Sequence, residues 1–338
     1  MSVLASAVLS GDRLALARAL TQVENDTAEG RLALNALFQN TGRAHLIGVT
    51  GAPGTGKSSL VNQIALHLRR PPEGEPKKVA IVAVDPSSPF TGGAVLGDRV
   101  RMRDLSGDPG VFIRSMASRG SLGGLAQATA GVVQVFDAAG YDVILIETVG
   151  AGQSEVDIAR LAHTTLVVEA PGLGDDIQAI KAGILEIADI LVINKADRPG
   201  VESTERALKS MLELAHPVKK VFKHHGQVMS TIAPEQASDP AMWVPPIQRT
   251  VATAGTGMRE LIQFIEQHAE HLRQSGEWSR RERARLQAEL DVLITETLVS
   301  QFRASISKTE FQNVYDALAS RAISPWEAVN TLMNKRQA

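Results

Sequence analysis

A glycine-rich run at residues 51–58 constrains the fold of this 338-residue chain more than any other feature. It reads GAPGTGKS and matches the pattern G-x-x-x-x-G-K-[S/T]. An apolar segment at residues 45–50 precedes the run, and an amphipathic segment at residues 57–69 follows it. This order predicts a strand, a phosphate-binding loop and a helix, because the loop N–H groups and the helix N-terminus then face one anion.

Short apolar runs alternate with helical segments through the rest of the central region. Most apolar runs are continuous, which is typical of strands that helices cover on both faces. The pattern therefore predicts an α/β fold of the P-loop NTPase type, with a mostly parallel sheet covered by helices. The predicted strands are residues 45–50, 78–84, 142–147, 164–169, 189–193 and 247–252. The predicted helices are residues 57–69, 122–139, 176–187, 202–214 and 257–272, and residues 215–246 are predicted as loop with broken helix.

Helical segments flank this region on both sides. Apolar residues recur at helical spacing near the N-terminus, and residues 278–303 predict one long helix. The arginines at its start (Arg280, Arg281, Arg283 and Arg285) are interpreted as a solvated face. We predict three parts: an N-terminal helical segment (1–42), a P-loop domain (43–275) and a C-terminal helical arm (276–338).

Composition narrows the possible partners and compartments. The chain has 35 Lys and Arg against 37 Asp and Glu, so no basic excess predicts nucleic-acid binding. No apolar run is long enough to span a membrane, and the N-terminus does not match a signal peptide. The absence of cysteine excludes disulfides and thiolate metal sites and fits a reducing cytosol. We expect a cytoplasmic protein with neither a nucleic-acid nor a membrane partner.

The predicted phosphate site combines the glycine-rich loop with a carboxylate from a second strand. Lys57 is expected to bridge the β- and γ-phosphates and Ser58 to bind Mg²⁺. Strand 142–147 ends at Glu147, which can hold the metal or its water, in a place where many GTPases carry the Asp of Asp-x-x-Gly. The loop residues expected to bind nucleotide are Gly51, Ala52, Pro53, Gly54, Thr55, Gly56, Lys57, Ser58 and Ser59.

A second motif predicts recognition of guanine. Strand 189–193 ends in Asn194, Lys195, Ala196 and Asp197, which match N-K-x-D. The Asp197 carboxylate can accept from guanine N1–H and the 2-amino group, whereas adenine would leave it unpaired. The Lys195 stem can lie over the base, and Asn194 can tether the loop. A backbone amide near Thr253 and Ala254, which follow the last predicted strand, is expected to meet the guanine O6. GTP and GDP are therefore the expected substrate and product.

At this point the chain resembles the methylmalonyl-CoA mutase-associated GTPases, the MeaB/ArgK-like branch of P-loop G-proteins, over roughly residues 5–300. Residues 85–102 resemble the first switch region of that family, residues 147–155 the second, and residues 171–181 a third loop distinctive of this branch. The resemblance implies a GTPase chaperone of an adenosylcobalamin-dependent acyl-CoA mutase, which gates cofactor loading and protects the mutase. It also implies a homodimer to which the C-terminal arm contributes.

Further candidates come from the switch-like runs. By motif match, Asp85 and Asp98 are candidates for holding Mg²⁺ through water or ordering the attacking water, and the alternative is a solvated loop carboxylate. Gln153 stands where some GTPases position water, and it could equally start the next helix. The predicted catalytic set is Lys57, Asp98, Glu147 and Gln153, and the predicted metal set is Ser58, Asp85, Asp98 and Glu147.

A small-molecule kinase and a metal-insertion GTPase are the alternatives to a mutase-chaperone GTPase. A small-molecule P-loop kinase would need an acceptor pocket and an arginine-rich lid; no such lid stands out, and N-K-x-D opposes ATP. A nickel-insertion GTPase would typically carry Cys or His clusters near the switches, and the chain has no cysteine. The sequence leaves the mutase open among methylmalonyl-, isobutyryl-, ethylmalonyl- and hydroxyisobutyryl-CoA enzymes.

Overall fold

The chain forms two compact units, Met1–Arg285 and Leu286–Ala338, in a computed structural model. The residues described are 2–86, 102–105, 107–118, 124–148, 154–172, 186–215, 222–224, 227–229 and 243–334. The predicted division into residues 1–42, 43–275 and 276–338 stays a prediction.

A seven-stranded sheet forms the centre of the first unit, and all its neighbouring strands pair in parallel. The strand order is β3-β2-β4-β1-β5-β6-β9. The strands are β1 (His45–Thr50), β2 (Val79–Pro86), β3 (Val111–Ser118), β4 (Val143–Thr148), β5 (Thr164–Glu169), β6 (Ile190–Ile193) and β9 (Ile247–Arg249). Two short strands, β7 (Phe222–His224) and β8 (Gln227–Met229), pair antiparallel in the region predicted as irregular. The predicted fold class is confirmed.

Helices cover both faces of this sheet. In the first unit they are α1 (Val3–Leu9), α2 (Arg13–Glu24), α3 (Ala28–Leu37), α4 (Lys57–Arg69), α5 (Gly124–Ala138), α6 (Ser154–Leu161), α7 (Val201–Ala215) and α8 (Met258–Ser275). They are followed by α9 (Glu277–Ser305), α10 (Lys308–Ala319) and α11 (Pro325–Asn334). The predicted helix at 176–187 lies almost wholly outside the described residues. No helix in the described part of the chain is long and apolar enough to cross a membrane.

Alternate residues of the central strands enter two separate cores. Leu46 and Ile144 pack with apolar side chains of α1, α2, α3 and α5 on one face. Ile47 and Leu145 pack with those of α4 and α8 on the other face. Both faces are apolar because both are covered, which explains the continuous apolar runs in the sequence. The N-terminal helices therefore share a core with the sheet.

Strand β3 was not predicted from the sequence. It pairs with β2 at the edge of the sheet, and its register places Val79 opposite Val111. The Arg114 side chain forms an ion pair with Glu24 of α2, so the strand carries a half-buried charge. Its apolar residues are interrupted by polar ones because the strand lies at the sheet edge, so the sequence signal for it is weak.

A buried polar network closes the amino ends of β1, β5 and β6. Asp189, just before β6, accepts two hydrogen bonds of 2.8 Å from the guanidinium of Arg281 and one of 2.8 Å from the Thr165 N–H. The His268 imidazole of α8 lies 3.2 Å from the same carboxylate. Burial opposes ionisation of Asp189, yet the adjacent His268 and the hydrogen bonds from Arg281 outweigh it and lower its pKa to about 2.

The same network extends along the start of α9. The His163 ring stacks on Trp278, with centroids 3.9 Å apart. Its Nδ1 accepts from the Leu46 N–H at 3.1 Å, so its Nε2–H faces Glu282 at 3.3 Å. Burial lowers the pKa of His163, and Glu282 opposes that shift. Arg281 and the buried Arg285 thus belong to a closed network, and the interpretation of these two arginines as a solvated face was wrong.

Candidate functional site

The loop at residues 51–56 joins β1 to α4 at the carboxyl edge of the sheet. Gly51 has φ +139°, and a Cβ there would lie 2.1 Å from the Val168 carbonyl oxygen of β5. Gly56 has φ +92°, and a Cβ there would lie 2.5 Å from Asn194 Nδ2. Glycine is required at both positions, because the backbone turns left-handed and packs directly against neighbouring groups.

The Lys57 side chain folds back over this loop. Its Nζ donates to the carbonyl oxygens of Gly51 at 2.8 Å and Ala52 at 3.0 Å, and the residue is 5% exposed. Thr55 braces the same turn, since its Oγ1 donates to the Ala52 oxygen at 3.0 Å. A phosphate carries full negative charge, so its oxygens are stronger acceptors for an ammonium group than these carbonyls. The loop therefore holds a cation where a phosphate would enter.

Ser58 and Glu147 form a buried oxygen pair beside the loop. The Ser58 Oγ donates to Glu147 Oε1 at 2.6 Å, and the two residues are 9% and 5% exposed. Ser58 lies in the first turn of α4, and Glu147 lies in β4 opposite Val49 of β1. A hydroxyl and a carboxylate are hard oxygen donors, and Mg²⁺ commonly takes one or two such protein ligands together with phosphates and water. The pair fits the predicted metal site.

The remaining predicted metal and catalytic residues are described in part or not at all. The Asp85 backbone belongs to β2 and pairs with Ala117 of β3 near the carboxyl edge, whereas its side chain is not described. Asp98 and Gln153 lie outside the described residues. Their roles stay predictions.

Asn194 links three loops at the end of β6. Its Nδ2 donates to the Thr55 oxygen at 2.8 Å, and its Oδ1 accepts from Thr250 Oγ1 at 3.2 Å and from the Ala252 N–H at 3.1 Å. The side chain is 2% exposed, so these bonds are shielded from water. The phosphate loop, the N-K-x-D segment and the β9–α8 loop are thereby fixed to one another. The tethering role predicted for Asn194 has a geometric basis, and Thr250 is a partner that the motif alone does not predict.

Lys195 and Asp197, the next charged residues of the motif, are more exposed than Asn194. Lys195 has φ +56°, a left-handed conformation that costs a non-glycine residue about 1–3 kcal/mol and is concentrated at functional sites. Its Nζ donates to the Gly54 carbonyl oxygen, so the stem crosses the phosphate loop. Asp197 is exposed, and its carboxylate forms no hydrogen bond or ion pair with another described residue. An exposed carboxylate beside a strained lysine is suited to binding a ligand.

The β9–α8 loop carries Thr253 and Ala254, the last of the predicted nucleotide-binding residues. Both residues are exposed. The Ala254 N–H donates within the turn to the Val251 oxygen at 2.9 Å. The contact of this loop with a guanine O6 therefore stays a prediction.

A cavity of about 290 Å³ lies between the phosphate loop and the guanine motif. Gly54, Lys195 and Arg198 line it, together with Pro171 and Gly172. The last two begin the run at 171–181, of which only these residues are described. The start of that run is thus adjacent to both nucleotide motifs.

The parallel sheet, its phosphate loop and the guanine motif at one edge define a P-loop GTPase. The chain belongs to the family described as methylmalonyl-CoA mutase-associated GTPase MeaB, whose model matches residues 16–307. The predicted family and the predicted GTPase activity are both confirmed.

Individual relatives agree with this assignment. A protein of Pyrococcus horikoshii named as a GTPase is 43% identical over 325 residues, which cover 96% of this chain and 95% of that protein. The mitochondrial methylmalonic aciduria type A homolog of Caenorhabditis elegans is 35% identical over 249 residues, 69% of this chain and 62% of that protein. Among solved structures, an LAO/AO transport system kinase is 25% identical with a TM-score of 0.67, and the match covers 99% of this chain and 97% of that one.

Proposed function

We propose that this chain is a Mg²⁺-dependent GTPase that serves an adenosylcobalamin-dependent acyl-CoA mutase as a chaperone, gating cofactor loading and protecting the mutase. The observation that carries the GTPase chemistry is the meeting of Lys57, the Ser58–Glu147 pair and Asn194 at one edge of the sheet. Support for the mutase comes from the family description, which names it, and from the C. elegans relative, whose name refers to methylmalonic aciduria.

Nucleotide binding follows from the charges at this edge. The amides of residues 51–56 and the N-terminus of α4 receive the phosphates, and Lys57 exchanges its carbonyl acceptors for phosphate oxygens. Asp197 accepts from guanine N1–H and the 2-amino group. An adenine at this position would leave the carboxylate unpaired, which favours GTP over ATP and therefore disfavours a kinase.

Ser58 and Glu147 would hold Mg²⁺, which when bound neutralises charge on the β- and γ-phosphate oxygens. Lys57 contributes most in the transition state, because charge on the transferred group then faces a cation already in position. Asp98 and Gln153 are our candidates for ordering the attacking water. Glu147 keeps the Ser58 hydroxyl oriented through the 2.6 Å hydrogen bond.

The run at 171–181 is proposed to report the mutase to the nucleotide site. It begins at Pro171 and Gly172, beside Gly54 and Lys195. Asp175 and Lys181, which lie outside the described residues, can change ion-pair partners when the mutase binds. Mutase binding and GTP hydrolysis would then be coupled by contacts that form only in the complex.

Steady-state GTP turnover with and without saturating mutase tests this proposal. We expect the mutase to accelerate wild-type turnover, and Asp175→Ala or Lys181→Ala to lose most of that acceleration while keeping the intrinsic rate. Exposed Lys78, remote at the amino end of β2, supplies the matched control Lys78→Ala, which should retain both rates. Equal stimulation of all variants would remove the signalling role from this run, and no stimulation by any of the four candidate mutases would contradict the chaperone function.

We also propose that the chain is a homodimer to which the second unit contributes. Several apolar side chains of that unit are solvent-exposed, including Leu290 at 56%, Leu298 at 60% and Trp326 at 78%. Apolar side chains at this density on one small unit are typical of an association surface. Sedimentation equilibrium of the full chain should give the dimer mass, and Leu298→Glu should shift the mass toward the monomer.

A further inference from the structure

The loop between β9 and α8 is closed at its base by one side-chain amide. Gln248 Nε2 donates to the Arg249 carbonyl oxygen at 2.9 Å and to the Gly257 carbonyl oxygen at 3.0 Å. Arg249 ends β9, and Gly257 immediately precedes α8. A single half-buried amide therefore bridges the two ends of the segment that carries Thr253 and Ala254.

The close approach of these two ends depends on the residue at position 257. Gly257 has φ +75°, and a Cβ there would lie 2.1 Å from the Arg249 oxygen and 3.0 Å from Gln248 Nε2. Only glycine permits both the turn and the contact. Glycine at position 257 therefore allows the Gly257 carbonyl oxygen to lie within hydrogen-bonding distance of Gln248.

Within the loop, further bonds set its shape but not its base. The Val251 N–H donates to the Thr256 oxygen at 3.0 Å, and the Ala252 N–H donates to Asn194 Oδ1 at 3.1 Å. The first bond closes the tip, and the second ties one side of the loop to the guanine motif. On the other side, the Gly257 carbonyl oxygen is held to β9 by Gln248.

We propose that Gln248 is a positioning residue for guanine recognition, holding the β9–α8 loop so that the backbone amide of the exposed Thr253 reaches the 6-oxo group of the base. This inference rests on the proposed GTPase function. Asp197 reads the opposite side of the base from a different loop. Loss of Gln248 therefore weakens the contact to the 6-oxo group and spares the contacts to N1–H and the 2-amino group.

Three nucleotides separate these contacts. GDP carries all three groups, IDP lacks the 2-amino group, and 6-thio-GDP replaces the 6-oxo oxygen with a weakly accepting sulfur. For Gln248→Met we expect the Kd for GDP and IDP to rise about tenfold and that for 6-thio-GDP to change less than about twofold. Calorimetric titration gives all three values. Gln274→Met is the matched control, because Gln274 of α8 is exposed and its side chain bonds Glu270 of the same helix at 2.8 Å.

The outcomes distinguish this inference from the function on which it rests. An equal loss of affinity for all three nucleotides, or no loss for any, overturns the positioning role of Gln248. Wild-type protein that binds 6-thio-GDP as tightly as GDP instead contradicts reading of the 6-oxo group by this loop. If Gln248→Met does not fold, Gln248→Glu supplies the same test, since its carboxylate faces two carbonyl oxygens and should give at least the same selective loss.

Discussion

The two ends of the central sheet use polar residues in opposite ways. At the amino edge, Asp189 and His163 are buried, Arg281 is half-buried, and all three bind one another or backbone groups of the first unit. At the carboxyl edge, the buried Asn194 ties the loops together, but Asp197 is exposed and Lys195 adopts a left-handed backbone conformation. The charges at the amino edge therefore stabilise the fold, whereas Lys195 and Asp197 at the carboxyl edge are arranged for a ligand.

This difference predicts that variants at the two edges fail in different assays. Changes to Lys57, Glu147 or Asp197 at the carboxyl edge should lower nucleotide binding or turnover more than they lower the free energy of unfolding, because these groups are arranged for a ligand. Changes at the amino edge should lower the free energy of unfolding while leaving turnover per folded molecule unchanged. A variant that loses both stability and turnover per folded molecule would contradict this division of roles for the substituted residue.

The largest expected effect is that of Lys57→Ala at the carboxyl edge. We expect GTP turnover to fall about 1,000-fold, because the variant removes the cation that faces the transferred phosphoryl group. Turnover under saturating GTP measures the loss, and Lys78→Ala should keep the wild-type rate. A Lys57→Ala variant with turnover within tenfold of wild type would contradict the role assigned to this side chain.

Glu147→Gln should give the second-largest effect. It preserves side-chain volume and an acceptor for Ser58 but removes the negative charge that would hold Mg²⁺, so we expect turnover to fall about 100-fold. GDP affinity should change much less, because the metal acts mainly on the charge of the γ-phosphoryl group. Parallel measurement of turnover and GDP binding checks this. Equal losses in the two would place Glu147 in ground-state binding.

At the amino edge, Asp189→Asn should destabilise the fold by about 3 kcal/mol, because it leaves the Arg281 guanidinium without its buried counter-charge. Urea unfolding measures the change. The control Glu73→Gln neutralises an exposed carboxylate before β2 and should leave the free energy of unfolding unchanged. If Asp189→Asn lowers turnover per folded molecule instead of stability, the division of roles between the two edges is wrong.

The smallest effect concerns the pH dependence of stability. Burial lowers the pKa of His45 and His163 in the folded chain, so the unfolded chain binds more protons as the pH falls below about 6.5. Stability should therefore fall between pH 7 and pH 5 by about 1–2 kcal/mol. The pKa values of Glu282 and Asp189 are both lowered to about 2 in the folded chain. Stability should therefore fall further below about pH 4, where these carboxylates become protonated more readily in the unfolded chain.

His163→Asn sharpens this test, since asparagine can still accept from Leu46 but does not titrate. Unfolding free energies at pH 7, 6 and 5 should show a shallower slope for the variant than for wild type. Identical slopes would assign the acid sensitivity to other groups, and stability that rises toward pH 5 would contradict the neutral state of these histidines.

The sequence predicted the carboxyl edge far better than the amino edge, for a physical reason. Lys57, Glu147 and Asn194 each belong to a short motif at or after the carboxyl end of a strand, and these ends lie together in a parallel sheet. The amino-edge network joins residues such as His163 and Glu282, whose proximity depends on how α8 and α9 return to the sheet. No local pattern encodes that return.

Two further features escaped the sequence for related reasons. Strand β3 lies at the sheet edge, where apolar continuity is not required. Gln248 is an ordinary polar residue whose role arises only from the approach of Gly257 to Arg249. Such contacts depend on backbone geometry, whereas the motif residues depend on the chemistry of the ligand.

The most direct test of the account is the nucleotide preference of Asp197→Asn. If this carboxylate reads guanine, its loss should weaken GTP binding by about 2–4 kcal/mol, because a charge-assisted pair of hydrogen bonds is removed. The same variant should bind xanthosine triphosphate better than wild type does, since an amide N–H then faces the 2-oxo group. Calorimetric titration of both nucleotides on both proteins gives the answer. Unchanged GTP affinity, with no gain for xanthosine triphosphate, would contradict guanine recognition at the carboxyl edge.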